Sequence, residues 1–309
     1  MRIKPLYVET PLWESPALSE KLGTQALLKM ESFQPVGSFK SRGMGAACLA
    51  AHERGIRQVV CSSGGNAGLA VAYAGRLLGM DVTIVVPERT SERARKLIRR
   101  EGAELIVHGE SWDDAHEYAS LLAADTESAY IHPFDDPEVW RGHSSIISEI
   151  AAAGIRPGAI VVSVGGGGLL AGLLLGMDSA GWGDVPVLAA ETDGADSFAQ
   201  SMASGRLVTL PAIRSIATTL GARTVCRQVL EAAKSHSVTP WVVSDRQAVD
   251  ACLAFAADHR VLVEPACGAA LAAGYFPSPV LAGLVPVVFI VCGGAAFTPA
   301  MLQEWDRTV

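Results

Sequence analysis

Residues 58–68 read Gln58-Val59-Val60-Cys61-Ser62-Ser63-Gly64-Gly65-Asn66-Ala67-Gly68. A short apolar run leads into a glycine-rich turn, and a segment of helical character then continues to Leu78. Strand, turn and helix in this order make one βα unit, whose turn presents backbone N–H groups at the start of the helix. The stretch therefore predicts an α/β fold, and its turn, called here the first glycine loop (residues 62–68), suits an anion such as a carboxylate.

The same succession of apolar run, turn and helical segment recurs along the chain. The runs predicted as strands are Gln58 to Cys61, Val82 to Val86, Leu105 to Val107, Ile160 to Val164, Val185 to Ala190, Trp241 to Val243 and Val287 to Val291. The helical segments after the first three are Asn66 to Leu78, Ser91 to Arg100 and Trp112 to Ala123. Strands that alternate with helices of this length predict parallel sheets joined by right-handed crossovers.

The runs fall into two series, which predict two α/β domains with parallel sheets. We expect a small domain at residues 37–134, inserted in a large domain formed by residues 1–36 and 135–309. The apolar run at Ala26 to Leu28 is placed with the large domain.

Composition and charge limit the class of protein. The chain has 309 residues, half of them apolar, and a formal net charge of −7, which argues against a nucleic-acid binder with a basic face. Its six cysteines lack paired metal-binding spacing, and residues 1–5 lack the apolar core of a signal peptide. Glycines and prolines interrupt the two long uncharged stretches, so these predict buried strands and helices, not membrane spans. We expect a cytoplasmic protein that binds neither nucleic acid nor membrane.

One lysine stands out in the segment Ser38-Phe39-Lys40-Ser41-Arg42-Gly43. The chain has few lysines, and only Lys40 is surrounded by glycines, serines and an aromatic residue. The plain interpretation is a surface lysine in the first helical turn, after Ser38 as the N-cap. Taken alone, the hexapeptide favours that interpretation.

A second glycine loop, Gly165-Gly166-Gly167-Gly168, follows the predicted strand and opens a helix at Leu169. Consecutive glycines let the backbone wrap around a phosphate at a helix N-terminus. Two cofactors remain open at this point. Gly166-x-Gly168-x-x-Ala171, with Glu191 roughly 20 residues on, fits a dinucleotide fingerprint. Pyridoxal phosphate, with one aldehyde and one phosphate, instead gives a role to Lys40 and to both glycine loops.

Six segments carry a family resemblance that spans nearly the whole chain. They are Gln34 to Gly43, Ser62 to Gly68, Phe134 to Pro137, Gly165 to Leu169, Glu264 to Ala269 and Val291 to Gly294. In this order they resemble the fold-type II pyridoxal-phosphate enzymes, of the tryptophan synthase β-like kind, and most of all the L-serine/L-threonine dehydratase branch. The resemblance implies two parallel-sheet α/β domains, the small one inserted in the large one.

The resemblance also implies a set of cofactor-binding residues: Phe39, Lys40, Asn66, Gly165, Gly166, Gly167, Gly168, Leu169 and Cys292. Lys40 would bind the cofactor aldehyde covalently, Phe39 would pack under the ring, and Asn66 would hydrogen-bond the ring hydroxyl. The glycines and Leu169 would hold the phosphate. Cys292 would face the pyridine nitrogen, and because a thiol is a weak donor the ring would stay largely neutral, which favours β-elimination over transamination.

The activity implied is dehydration and deamination of L-serine, L-threonine or both, giving the 2-oxo acid and ammonia. Lys40 would also remove the Cα proton, and Ser63 is a weaker candidate than the cofactor phosphate for protonating the leaving hydroxyl. The substrate carboxylate would be bound by Ser63, Gly64, Gly65, Asn66 and Ala67. Gly64 stands where the more active relatives carry alanine, so we expect slower turnover or broader tolerance of side chains.

Three further expectations are weaker. Glu191, Ala195 and Ser197 resemble a cation loop with few charges, which suits potassium, although a solvated acidic turn explains them nearly as well. His132 and His143 are given no catalytic role. The family resemblance also implies a homodimer.

Other functions remain open from sequence. An amino-acid racemase or a β-replacement synthase would use the same scaffold, and a nicotinamide oxidoreductase would use the dinucleotide fingerprint. A catalytically idle ligand-binding relative is disfavoured because Lys40 is present.

Overall fold

A computed structural model describes residues 4–309. Residues 1–3 lie outside the described residues. They belong to the predicted large domain and to the segment predicted to lack a signal peptide. Within the described range the strands are β1 (Leu12–Glu14), β2 (Ala26–Lys29), β3 (Gln58–Cys61), β4 (Asp81–Val86), β5 (Glu104–Val107), β6 (Ala129–Tyr130), β7 (Ala159–Ser163), β8 (Val187–Thr192), β9 (Val238–Val243) and β10 (Val287–Ile290).

Helices connect and follow these strands. They are α1 (Pro16–Leu22), α2 (Lys40–Glu53), α3 (Asn66–Leu78), α4 (Glu92–Arg100), α5 (Trp112–Asp125), α6 (Pro137–Ala152), α7 (Gly168–Ala180), α8 (Ser197–Ser204), α9 (Arg227–Ala233), α10 (Asp245–His259), α11 (Pro265–Tyr275) and α12 (Pro299–Thr308). Among residues 4–309, no helix has both the length and the apolar character needed to cross a bilayer.

Two sheets organise the chain. The larger has the strand order β1-β2-β10-β7-β8-β9, and the smaller has the order β5-β4-β3-β6. All neighbours are parallel except β1 and β2, which are antiparallel. Every residue of β7, in the centre of the larger sheet, is buried, as expected for a parallel strand covered on both faces. The predicted α/β class with two parallel sheets is confirmed.

Two strands were not predicted. The edge strand β1 has three residues and β6 has two, which is too short for an apolar pattern to be recognised. The first of them also makes the one antiparallel pair of the larger sheet.

The strands of the smaller sheet all lie within residues 58–130, and those of the larger sheet lie before and after that range. The N-terminal strands β1 and β2 join the larger sheet. The division into residues 37–134 and the remainder of the chain stays a prediction.

A buried ionic cluster holds α2 in place. The guanidinium of Arg42, which is fully buried, donates hydrogen bonds to Glu31 at 2.7 and 2.8 Å and to Glu149 at 2.5 and 2.7 Å. Lys29 donates to the same Glu149 carboxylate at 2.5 Å. Removing one partner of such a pair leaves a buried charge uncompensated, at a cost of about 3 to 5 kcal/mol. Since Lys40 is the first residue of α2, the cluster also fixes the backbone that carries it.

Candidate active site

Lys40 lies at the start of α2, with its amine turned into the protein. The Nζ atom donates a hydrogen bond to the carbonyl of Pro133 at 2.5 Å. Burial lowers the pKa of Lys40 to about 8, because a low-dielectric surrounding disfavours the charged form. The interpretation of Ser38 as an N-cap is wrong. Phe39 occupies the cap position, no side chain caps the helix, and Ser38 instead pairs with Gly293.

Three buried cysteine thiols lie near the Lys40 amine. Cys61, Cys226 and Cys292 are all close enough to affect its pKa. Cys61 ends β3 and leads into the first glycine loop, while the Cys226 sulfur lies 3.3 Å from the place of a Cβ on Gly167. Burial raises the pKa values of Cys61 and Cys226 to about 12, so both thiols stay neutral. The amine lies near the second glycine loop, because its acceptor Pro133 precedes Phe134, whose ring packs against Gly166.

The second glycine loop presents unpaired backbone donors. Among the described residues, the N–H groups of 165–170 reach no backbone acceptor, although they surround the start of the 13-residue helix α7. Gly167 has φ +88°, which favours glycine. Successive N–H groups at a helix N-terminus suit a phosphate, and Leu169, 4% exposed, supplies one of them. The residues present thus fit the phosphate of the expected cofactor.

Close neighbours require glycine in this loop. A Cβ on Gly166 would lie 2.3 Å from the ring of Phe134, and one on Gly168 would lie 2.5 Å from the Phe134 carbonyl oxygen. A Cβ on Gly167 would meet Val229 at 2.5 Å, and one on Gly165 would meet Leu220 at 3.0 Å. No side chain fits at these positions without movement of its neighbours.

The first glycine loop provides a second set of donors at the start of α3. The N–H groups of Gly64, Asn66, Ala67 and Gly68 have no backbone acceptor within residues 4–309. The Ser63 hydroxyl accepts a hydrogen bond from the N–H of Gly65 at 3.3 Å, which leaves its own proton available for donation. Unpaired N–H groups at a helix N-terminus suit an anion such as a carboxylate, which remains the prediction for this loop.

Asn66 reaches across from α3 to the side of the larger sheet. Its Nδ2 donates to the Glu264 carboxylate at 2.9 Å, and its Oδ1 accepts from the N–H of Ala295 at 3.0 Å. Glu264 also accepts from the Thr219 hydroxyl at 2.7 Å. Glu264 and Thr219 were not singled out from sequence. Glu264 stands before a proline that begins a helix, and nothing local indicates that it meets Asn66, 198 residues away.

Phe39 and Cys292 flank the start of α2. The Phe39 ring centroid lies 5.1 Å from the Lys40 Nζ, and the N–H of Phe39 donates to the Cys292 carbonyl at 3.2 Å. A hydrogen bond with Cys267, together with burial, holds the pKa of Cys292 well above its usual value. The thiol is therefore neutral, as expected for a weak partner of a ring nitrogen.

The expected cation residues form a separate group around α8. The two Glu191 oxygens accept from the N–H groups of Phe198 and Ala199 at 2.8 and 2.7 Å, and Ser197 donates to the Ala222 carbonyl at 3.0 Å. Ala195 lies in the buried turn between them. Burial raises the pKa of Glu191 to about 8. Within the described residues, no group of three or more His, Cys, Asp or Glu side chains is arranged to hold a metal.

Both histidines without an assigned role are uncharged; His143 is fully buried and His132 is half-buried. Burial lowers the pKa of His132 to about 3 and holds that of His143 well below its usual value. The His132 Nδ1 accepts from the N–H of Asp135 at 2.8 Å, and His143 packs on Phe39 with the ring centroids 4.9 Å apart. Asp136 caps α6, since its side chain accepts from the N–H of Glu138 at 2.7 Å.

Comparison with known proteins agrees with this geometry. The family model described as "Pyridoxal-phosphate dependent enzyme" matches residues 3–293. Mouse "Serine dehydratase-like" is 48% identical over 97% of this chain and 94% of its own length. Human "L-serine dehydratase/L-threonine deaminase" is 47% identical over the same two shares. The crystal structure of an L-serine ammonia-lyase from Rhizomucor miehei has a TM-score of 0.93 at 41% identity, covering 98% of this chain and 99% of that one.

The second glycine loop gives a direct test of the phosphate site. Replacing Gly166 by alanine forces a methyl group against the Phe134 ring. We expect the dissociation constant of pyridoxal phosphate, measured by absorbance titration of the apoprotein, to rise about tenfold or more as hydrogen bonds to the phosphate are lost. Gly183→Ala is the matched control, since Gly183 has open space around it. Equal affinities of both variants and the parent would contradict the assignment.

Proposed function

Since this chain belongs to the family of pyridoxal-phosphate dependent enzymes, we propose that it is an ammonia-lyase acting on L-serine, L-threonine or both. The products are pyruvate or 2-oxobutanoate, and ammonia. One observation carries the proposal: a lysine amine whose pKa burial lowers lies near one loop of unpaired N–H groups, and a second such loop follows β3. The names and identities of the relatives support the same activity.

Pyridoxal phosphate supplies an aldehyde for amines and a conjugated ring that accepts the electron pair released at Cα. We assign its phosphate to the N–H groups of Gly165 to Leu169 and its aldehyde to Lys40. Asn66 is assigned to the ring hydroxyl and Cys292 to the ring nitrogen. The neutral thiol of Cys292 leaves that nitrogen without a strong proton donor, which favours loss of a β-substituent over transamination.

Lys40 is proposed as the base that takes the Cα proton. An amine whose pKa is about 8 has a substantial unprotonated fraction near neutral pH, whereas an ordinary lysine has very little. The unpaired N–H groups of the first glycine loop bind the substrate carboxylate and so orient the Cα–H bond towards Lys40. This binding also excludes water from the reacting carbon.

The β-hydroxyl leaves as water and needs a proton. Ser63 lies in the first glycine loop, and because its oxygen accepts from the N–H of Gly65 its own hydrogen points elsewhere. We therefore propose Ser63 as one donor for the leaving hydroxyl. A proton on the phosphate ligand held by the second glycine loop is the other.

The proposal also includes a potassium site, a homodimer and a cytoplasmic location. A potassium ion beside Glu191, Ala195 and Ser197 would favour the ionised carboxylate of Glu191, whose charge burial otherwise disfavours. A homodimer is proposed from the family resemblance. A cytoplasmic location is proposed because all six thiols are free.

Product analysis tests the proposed activity. With added pyridoxal phosphate, the purified protein should release keto acid and ammonia from L-serine or L-threonine without a second substrate. Lys40→Ala should lower the rate by roughly 10²- to 10⁴-fold through loss of the base. Interconversion of L- and D-serine without keto acid would indicate a racemase, and a requirement for a second substrate would indicate a β-replacement synthase. Either result would contradict the proposal, as would a nicotinamide requirement.

Gly64 gives a second test, on the substrate side of the site. A Cβ at this position would lie 2.6 Å from Cγ2 and Oγ1 of Thr90, so alanine fits only if Thr90 moves. Crowding of this kind costs about 1 to 3 kcal/mol, and we expect Gly64→Ala alone to lower kcat/KM about tenfold on serine and threonine.

The double variant Gly64→Ala, Thr90→Ala should recover the rate on serine and then disfavour threonine more than the parent does. Steady-state kinetics on both amino acids measures the difference. Unchanged kinetics in the single variant would remove any role for Gly64 in turnover or tolerance.

A further inference from the structure

Glu264 is a buried acid to which the proposed function gives no role. Its residue is 6% exposed, just before α11 on the side of the larger sheet. Within the described chain, no lysine, arginine or histidine contributes to the shifted pKa of Glu264. A buried carboxyl without a cation is costly, so its hydrogen-bond partners must stabilise it.

The partners come from both sides of the site. One carboxylate oxygen, Oε1, accepts from the Asn66 amide at 2.9 Å and from the Thr219 hydroxyl at 2.7 Å. Thr219 lies near both glycine loops: its carbonyl oxygen is 3.3 Å from where a Cβ on Gly165 would be, and its Cγ2 is 4.0 Å from where a Cβ on Gly65 would be. Glu264 thus contacts the residues around both proposed anion sites.

The contact also decides which way the Asn66 amide points. With Nδ2 on Glu264 and Oδ1 on the N–H of Ala295, both hydrogen bonds are satisfied. A flipped amide would place Nδ2 against the N–H of Ala295, and two donors cannot bond; its oxygen would also face the ionised carboxylate, which has no proton to donate. Nδ2 carries two hydrogens, so one remains for a further acceptor.

We propose that Glu264 is a positioning residue of the cofactor site, whose carboxyl fixes the Asn66 amide so that its second N–H faces the cofactor ring hydroxyl. The inference rests on the proposed use of pyridoxal phosphate. It adds a residue that touches neither substrate nor reacting atoms and acts through Asn66.

The surroundings of Glu264 raise its pKa, so that its charge changes with pH in a range where the cofactor absorbance can be measured. The titratable groups near Glu264 include the thiols of Cys252, Cys267 and Cys292. Burial contributes to raising the pKa values of Cys252 and Cys292, so neither of these two changes charge near neutral pH. Burial raises the pKa of Glu264 to about 7, against the opposing effect of its two hydrogen bonds. The acid is therefore protonated below about pH 7 and ionised above it, and negative charge appears beside the Asn66 amide as pH rises.

Two substitutions distinguish the positioning role of the Glu264 side chain from the effect of its charge. Glu264→Gln keeps a carbonyl oxygen for Asn66 and Thr219 but does not titrate, whereas Glu264→Leu removes the acceptor. We expect Glu264→Leu to raise the dissociation constant of pyridoxal phosphate about tenfold or more and to shift the absorbance maximum of the bound cofactor. Glu264→Gln should bind the cofactor nearly as the parent does. It should lack the change in cofactor absorbance that the parent shows near pH 7.

Glu231→Gln, at an exposed acid paired with Lys234, is the control and should match the parent in both measurements. The inference is overturned if Glu264→Leu binds the cofactor with the parent's affinity and spectrum, or if Glu264→Gln keeps the parent's absorbance change. If Glu264→Leu does not fold, the pH titration of Glu264→Gln still decides. A parent protein that binds no pyridoxal phosphate would instead refute the proposed function, so the two failures are distinguishable.

Discussion

Two helices point their unpaired N-terminal N–H groups at the surroundings of one buried amine, and this arrangement governs the site. The starts of α3 and α7 each carry partial positive charge and need anions. Burial disfavours a charged ammonium at Lys40. A ligand with a phosphate, an aldehyde and a nearby carboxylate satisfies both helices and uses the amine in its neutral form.

The rest of the structure fixes the positions of the two helix N-termini and of the Lys40 amine relative to one another. Parallel strands of two sheets end at the two glycine loops, so the loops belong to rigid elements. The ionic cluster around Arg42 fixes the first turns of α2 against Glu31, which follows β2, and against α6. Phe134 packs against the second glycine loop while the carbonyl of Pro133, its neighbour, accepts from Lys40. Small changes at any of these contacts are expected to act on the site through position.

Local patterns in the sequence were sufficient for the fold and for the two loops. Apolar runs followed by turn residues placed β3 with its observed bounds and β4, β7 and β10 within one residue at each end. The short strands β1 and β6 left no such pattern. The composition around Lys40 marked it as unusual, but the Ser38 cap was wrong because the helix begins one residue later.

Contacts between distant segments were beyond the reach of sequence. Glu264 and Ala295 contact Asn66, and Thr219 contacts Glu264, only in the folded chain. The spacing of these residues in the sequence does not predict the contacts. The collision of a Cβ at Gly64 with Thr90 is of the same kind. Such contacts depend on how two sheets and their loops pack, which local propensity does not determine.

The central claim is that the amine of Lys40 bonds covalently to the cofactor aldehyde. Reduction of the yellow protein with borohydride, followed by proteolysis and mass spectrometry, measures this directly. The account predicts one phosphopyridoxyl adduct, on the peptide that contains Lys40, and loss of the visible absorbance. The absence of an adduct, or an adduct confined to another lysine such as Lys29, would contradict it.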